Sequence, residues 1–189
     1  MENKKEITKS ILKGILLGGM FIIAASSPRF IPAILPKISK YLKYKIKTKK
    51  DKNTFYSIFH RLKQQDFIQF ENKNGQIYIS LTKEGKSKAG KYQIDDLEIK
   101  TPSKWDEKWR ILIFDIKDKQ KLKREALRGK IKQLGLFQLQ KSVWVYPYDF
   151  EKEIGLLKSF FGFNSKEMQF IVASKIENDR ELKNHFGIR

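Results

Sequence analysis

One acidic residue, Asp115, is placed where it could bind a catalytic metal ion. Asp115 follows an apolar run that ends in Ile113 and Phe114, at the mouth of a predicted buried strand. Two such carboxylates, brought together by a twofold axis, could hold a divalent cation such as Mg²⁺ that activates water against a phosphodiester. The competing interpretation, which we favour, is that Asp115 caps the turn into the helix that begins near Asp118. A single carboxylate per chain leaves a metal under-coordinated.

Other reactive groups are scarce. The chain has no Cys, and its two His are His60 and His185. This composition excludes a disulfide scaffold, a structural zinc site and a thiol nucleophile. The sequence also lacks a glycine-rich phosphate loop, a nucleophile elbow and paired His ligands. We therefore predict a protein without enzymatic activity or cofactor.

The charge indicates the partner. Among 189 residues, 40 Lys and Arg stand against 21 Asp and Glu, a formal net charge of +19. Residues 1–103 carry a net +12 and residues 104–189 a net +7. Such an excess favours a polyanionic partner, concentrated on the N-terminal half.

A short amphipathic helix is the sharpest local signal in that half. Apolar residues recur at helical spacing at Phe55, Ile58, Phe59 and Leu62, after a possible N-cap in Asp51-Lys52-Asn53. The opposite face can donate and accept hydrogen bonds and carries cations suited to base edges and phosphates. It comprises Tyr56, Ser57, His60, Arg61, Lys63 and Gln64. The alternative is an ordinary solvated helix face.

A predicted β-hairpin follows this helix. Two alternating segments, residues 67–70 and 76–81, flank an Asn-Gly turn, and a basic helix opens after Leu81. In order and spacing, residues 5–94 resemble the winged helix-turn-helix family. The resemblance implies that Thr54 to Gln65 is a recognition helix in the major groove of duplex DNA, and that Lys73 at the wing tip touches backbone phosphate.

The N-terminal apolar run is too short to span a membrane. It extends over the twelve residues from Gly14 to Ala25, whereas a span needs roughly 20. A stripe at three- and four-residue spacing from Ile7 to Ile23 predicts that residues 5–25 form a buried helix. A secretory signal cleaved near Ala25 is the alternative. A membrane-tethered form of the protein is a second alternative.

A second domain follows a change in composition. Polar and proline residues interrupt the apolar pattern at residues 95–104, which we interpret as a linker between domains at 1–94 and 105–189. Beyond it, strands and helices are predicted in the order βαββαβ, at 109–116, 118–134, 137–139, 143–146, 150–161 and 168–176. The predicted fold class is therefore α+β, with a winged helix-turn-helix followed by a ferredoxin-like domain.

Several short sequence motifs in this domain resemble those of the PaaX family. They are Trp105-Asp106, Lys108-Trp109-Arg110, Phe114-Asp115-Ile116, Leu134-Gly135 and Ser142-Val143-Trp144-Val145 followed by Pro147. In that family of bacterial transcriptional repressors, a winged helix precedes a central domain similar to the CRISPR-associated Cas-two-type endonuclease. The resemblance implies a cytoplasmic repressor that binds duplex DNA as a homodimer paired through the second domain. Trp105, Trp109 and Trp144 are expected to be core or packing residues.

Two further expectations come from the same resemblance. PaaX-type repressors carry an additional C-terminal region linked to effector response, whereas this sequence stops at Arg189, so we do not expect a response to an acyl-coenzyme A. The Cas-two-type likeness also leaves an alternative function. Those endonucleases place an Asp at the end of the first strand, and Asp115 occupies that position here. The resemblance therefore implies, as the alternative, a CRISPR-associated, Mg-dependent endonuclease using Asp115, or an adaptation-complex scaffold, fused to a winged helix.

Overall fold

The computed structural model describes residues 2–19, 21–23, 48–73 and 76–188. The chain divides into two compact units, Met1–Asp95 and Asp96–Arg189. The fold class is mixed α+β, as predicted. The Asn-Gly turn of the predicted hairpin, and most of the lysine-rich segment from Lys37 to Lys52, lie outside the described residues.

The first unit contains three α-helices and three strands in its described part. In chain order they are α1 (Glu2–Gly18), β1 (Phe21–Ile23), α2 (Lys49–Gln64), β2 (Ile68–Lys73), β3 (Gln76–Leu81) and α3 (Lys83–Asp95). The strands form an antiparallel sheet in the order β1-β3-β2. β2 and β3 pair in register from Ile68 opposite Leu81 to Lys73 opposite Gln76, as a hairpin requires.

The core of this unit is the predicted apolar face of α2 packed on α1. Phe55, Ile58, Phe59 and Leu62 are all buried, which confirms the helical periodicity. They join a cluster with four residues of the α1 stripe: Ile7, Ile11, Leu12 and Ile15.

The prediction of one helix through residue 25 is wrong at its C-terminal end. α1 stops at Gly18, and Gly19 takes a φ of +67°, a conformation that glycine adopts without steric cost. The backbone of Phe21–Ile23 then pairs with Ile77–Ile79 of β3. Sheet pairing of the backbone overrides the helical spacing of the apolar residues here.

α2 begins earlier than predicted. The hydroxyl of Thr48 accepts a hydrogen bond from the Asp51 backbone N–H, and the Asp51 carboxylate accepts one from the backbone N–H of Thr48. This capping box starts the helix at Lys49, instead of at Thr54. The predicted N-cap segment Asp51-Lys52-Asn53 therefore lies inside the first turns of the helix.

α3 is fastened to the turn between α2 and β2. The Thr82 hydroxyl donates to the carbonyl of Asp66, and its oxygen accepts from the backbone N–H of Gly85. A Cβ at Gly85 would collide with the carbonyl oxygen of Phe67, so only glycine allows this approach.

The second unit is a four-stranded sheet covered by helices. Its elements are β4 (Trp109–Phe114), a 3-10 turn (Asp118–Gln120), α4 (Lys121–Gln133), β5 (Phe137–Gln140), β6 (Val143–Tyr146), α5 (Glu151–Phe161), β7 (Met168–Ala173) and α6 (Arg180–Phe186). The strand order is β5-β6-β4-β7, and all neighbours are antiparallel. α6 was not predicted. It contributes the buried Leu182 to a cluster with Trp109 and Val145.

Among the described residues, no helix combines the length and the apolar character needed to cross a bilayer.

Candidate nucleic-acid interface

The exposed side of α2 is a row of polar residues. Asn53, Ser57, His60 and Gln64 follow one another at three- and four-residue spacing, and all four side chains are exposed. They lie opposite the buried side of the helix, so burial of that side orients them toward solvent. We call these four residues the α2 face. Hydroxyl, imidazole and amide groups are able to hydrogen-bond base edges.

Two predicted site residues flank the α2 face on the side of the hairpin. The ammonium of Lys63 lies 4.9 Å from the centre of the Phe70 ring in β2, which fixes it beside the sheet while its side chain remains exposed. Tyr56 is half-buried and packs against the core cluster. Tyr56 therefore helps to hold the helix in place and offers only part of its ring to a partner.

Arg61 points to the other flank. Its Nη2 donates to the hydroxyl of Thr8 on α1, at 3.3 Å, and that hydroxyl in turn donates to the carbonyl of Lys4. The guanidinium thus connects α2 to α1. Of the six helix residues predicted from sequence, Ser57, His60 and Gln64 share one face, whereas Lys63 and Arg61 lie on opposite flanks.

Sequence reasoning missed the cations at the start of α2. Lys49, Lys50 and Lys52 occupy the first helical turn, and all three are exposed. The signal that could have placed them on the helix is the Thr48–Asp51 spacing, which is typical of a capping box. With these lysines, the exposed side of α2 is more basic than predicted, and the additional charge lies at its N-terminal end.

The start of the hairpin packs against the C-terminal half of α2. Its first residues adjoin the C-terminal end of the helix, since the Phe67 N–H donates to the carbonyl of Leu62. The Phe70 ring then meets that of Phe59, with centroids 6.1 Å apart. Lys73 lies three residues further along β2, about 10 Å beyond Phe70.

Lys73 is exposed but already forms an ion pair with Glu71. Its ammonium lies 2.6 Å from a carboxylate oxygen of Glu71, and 5.8 Å from the centre of the Tyr78 ring. The hydrogen bond from Lys73 lowers the pKa of Glu71, and the same bond raises the pKa of Lys73. Glu71 also accepts a hydrogen bond from Gln69. Any phosphate that binds Lys73 must compete with this carboxylate.

In the second unit, Asp115 follows β4 with an exposed side chain. Its backbone N–H donates to the carbonyl of Glu167. The interpretation of Asp115 as a cap is wrong: the residue before the 3-10 turn is Lys117, and no side chain caps that turn. Asp118 pairs with Arg124 at 2.9 Å. The described residues contain no group of three or more His, Asp or Glu that could hold a metal.

A buried arginine organises the start of the second unit. Arg110 on β4 donates to both carboxylate oxygens of Asp106, and to the carbonyls of Lys108 and Pro147. The hydrogen bond from Arg110 lowers the pKa of Asp106. Trp109 and Trp144 are buried and Trp105 packs on Trp109, as expected for packing residues. The sequence segments around Trp105, Arg110 and Pro147, which carry the PaaX resemblance, therefore meet in one hydrogen-bonded cluster.

Comparison with known proteins identifies a family match in the second unit. Residues 102–183 match the model of the PaaX protein central Cas2-like domain. No curated protein matches the sequence. The match covers every sequence segment that carries the PaaX resemblance. It supports, in general terms, a regulator of the PaaX kind.

Proposed function

We propose that this protein is a PaaX-like, DNA-binding transcriptional regulator that acts as a repressor and binds duplex DNA as a homodimer in the cytoplasm. The observation that carries the proposal is the α2 face, flanked by exposed lysines and by a hairpin whose far end carries Lys73. The family match to residues 102–183 supports it from the second unit.

The described order of the first unit supports a winged helix. A helix, a strand, α2, a two-stranded hairpin and a closing helix follow one another, and β1 extends the hairpin sheet. In this proposal α2 lies in the major groove, where Ser57, His60 and Gln64 read base edges. The hairpin is the wing.

Cations supply the affinity. Lys49 and Lys50 at the start of α2, and Lys73 on the wing, would neutralise phosphates on either side of the groove. Each phosphate contact releases condensed counterions, so binding weakens as salt rises. The net +12 of residues 1–103 adds long-range attraction to the same polyanion.

The second unit would pair the protomers. Its antiparallel order β5-β6-β4-β7, with α4 and α5 in the crossover positions, supports the proposed ferredoxin-like split βαβ fold. β7 is an edge strand, and Ile171 and Val172 on it are 40% and 52% exposed. An open strand edge with exposed β-branched residues suits pairing with a second copy. A dimer would place two α2 faces on two half-sites.

Charge-matched variants test DNA binding. We expect Lys49→Gln/Lys50→Gln/Lys73→Gln to lower affinity for fluorescent duplex DNA at least about tenfold, and to reduce the salt slope by about 1 per lost phosphate contact. The control is Lys83→Gln/Lys86→Gln/Lys91→Gln, which removes three exposed lysines of α3 in the same unit. Equal losses in the two triple variants would mean that binding depends on net charge alone and not on this surface.

The alternative function rests on Asp115. Its exposed carboxylate follows the central strand β4, the position expected for a ligand in a Mg-dependent endonuclease. One carboxylate per chain would require the symmetry-related residue to complete the site. The same second-unit match is also compatible with a scaffold that holds nucleic acid without cutting it.

A further inference from the structure

The α2 face differs in composition from an ordinary exposed helix surface. At 3.6 residues per turn, its four residues fall within about 60° of arc, and none of them is Lys, Arg, Asp or Glu. Charged side chains are common on the solvent side of a surface helix. A row of uncharged hydrogen-bonding groups suits a partner that is recognised by its pattern of donors and acceptors.

The charges of α2 lie beside this row and are almost all positive. Asp51 is the one acidic residue of the helix, and its carboxylate accepts from the Thr48 N–H in the capping box. The exposed Lys49, Lys50 and Lys52 stand in the same turn. The row is therefore bordered by cations at its N-terminal end, which is the charge pattern that complements a polyanion such as DNA.

The two amides of the row keep their hydrogen-bonding capacity for a ligand. Polar groups off the row have partners within the protein: the Thr54 hydroxyl donates to the carbonyl of Lys50 at 3.0 Å, and Arg61 donates to α1. The Asn53 and Gln64 amides are exposed and have no hydrogen-bond partner among the described residues. Each amide offers an N–H₂ donor and a carbonyl acceptor side by side.

We propose that Asn53 and Gln64 each recognise an adenine in the major groove. A carboxamide pairs with adenine through two hydrogen bonds, since its N–H₂ donates to N7 and its oxygen accepts from the N6 amino group. The two residues are about three helical turns apart, or roughly 16 Å along the axis, which corresponds to about four or five base-pair steps of 3.4 Å. Each half-site then contains two A·T pairs at that separation. This inference rests on the proposed function, because it names the bases that the α2 face reads.

Selection from a pool of random duplexes, followed by anisotropy titration of the selected site, tests this base assignment with the full chain. Replacing either A·T pair by G·C should weaken binding of the parent about tenfold. Asn53→Ala should lose the adenine preference at one of the two positions, and Gln64→Ala at the other. In Gln64→Glu, a carboxylate of the same shape only accepts hydrogen bonds. The preference at the Gln64 position should therefore change from adenine to cytosine, whose N4 amino group donates.

Gln65→Ala is the matched control. Gln65 is an exposed amide that directly follows Gln64, about 100° further around the helix, so both adenine preferences should remain in this variant. If the parent enriches a site without the two adenines, or if Asn53→Ala and Gln64→Ala keep both preferences, the base assignment is wrong while sequence-specific binding stands. A parent that enriches no sequence would contradict both the base assignment and the proposed sequence-specific regulator.

Discussion

The ammonium of Lys73 lies 2.6 Å from the carboxylate of Glu71, two residues earlier on the same face of β2. The wing therefore presents a cation whose charge is already compensated. In the proposed function a DNA phosphate and Glu71 would compete for the same ammonium, so Glu71 would reduce the affinity that the hairpin contributes.

We predict that Glu71→Gln strengthens duplex binding by a few-fold and steepens its dependence on salt. The substitution frees Lys73 and removes a negative charge from the DNA side. Fluorescence anisotropy at two salt concentrations measures both effects. Lys73→Gln should lose the wing contact and serves as the opposite variant. If Glu71→Gln binds no better than the parent, Lys73 does not touch DNA.

The Asp106–Arg110 pair predicts a pH dependence of stability. Because the hydrogen bond from Arg110 lowers the pKa of Asp106 in the folded protein, the pair stabilises the second unit above the ordinary Asp pKa of about 3.9. That contribution is lost as the pH falls through the lowered folded-state value. Asp106 is half-exposed, so Asp106→Asn should cost about 1 kcal/mol at neutral pH.

Thermal unfolding of the parent and Asp106→Asn at neutral pH, and at successive pH values below the ordinary Asp pKa, measures this difference. The stability difference should shrink steadily as the pH falls. A difference that persists unchanged at low pH would show that the carboxylate acts by shape and not by charge. Glu177→Gln in the same unit is a suitable control, because Glu177 is exposed and makes no ion pair among the described residues.

Features of the fold that depend on local interactions were predicted from the sequence, whereas features that depend on contacts between distant residues were not. Local periodicity predicted the buried face of α2, because Phe55, Ile58, Phe59 and Leu62 lie on one side of any helix that contains them. The strand at Phe21–Ile23 was missed because it depends on pairing with β3, more than fifty residues away. α6 was missed because only Leu182 and Phe186 carry its apolar signal.

The candidate site was predictable to a similar degree. The exposed residues Ser57, His60 and Gln64 follow from helix geometry alone. In contrast, the contact of Arg61 with Thr8 joins residues 53 positions apart, and sequence spacing does not encode it.

Assembly is the third prediction. We expect the full chain to sediment as a dimer, and Val172→Lys to shift it toward monomer, because a lysine at an exposed edge-strand position opposes strand pairing. Leu122→Lys is the control, since Leu122 is 88% exposed on α4 and lies outside the proposed seam. Sedimentation that is unchanged in Val172→Lys would place the seam elsewhere, and a monomeric parent would contradict the dimer.

The fourth prediction concerns catalysis. We expect no cleavage of single- or double-stranded DNA or RNA by the protein with Mg²⁺ or Mn²⁺, because Asp115 belongs to no group of three or more potential metal ligands among the described residues. Asp115→Asn, nearly isosteric and uncharged, is run beside it. Metal-dependent cleavage by the parent that disappears in this variant would establish the nuclease alternative.

Selection of binding sites from a pool of random duplexes tests the central claim most directly. The parent protein should enrich a twofold-symmetric sequence, because two copies of the α2 face read two half-sites. Ser57→Ala/His60→Ala/Gln64→Ala should retain non-specific affinity, since all the lysines remain, yet lose the enriched sequence. Enrichment of the same sequence by parent and triple variant, or no enrichment by the parent at all, would contradict sequence-specific recognition through α2.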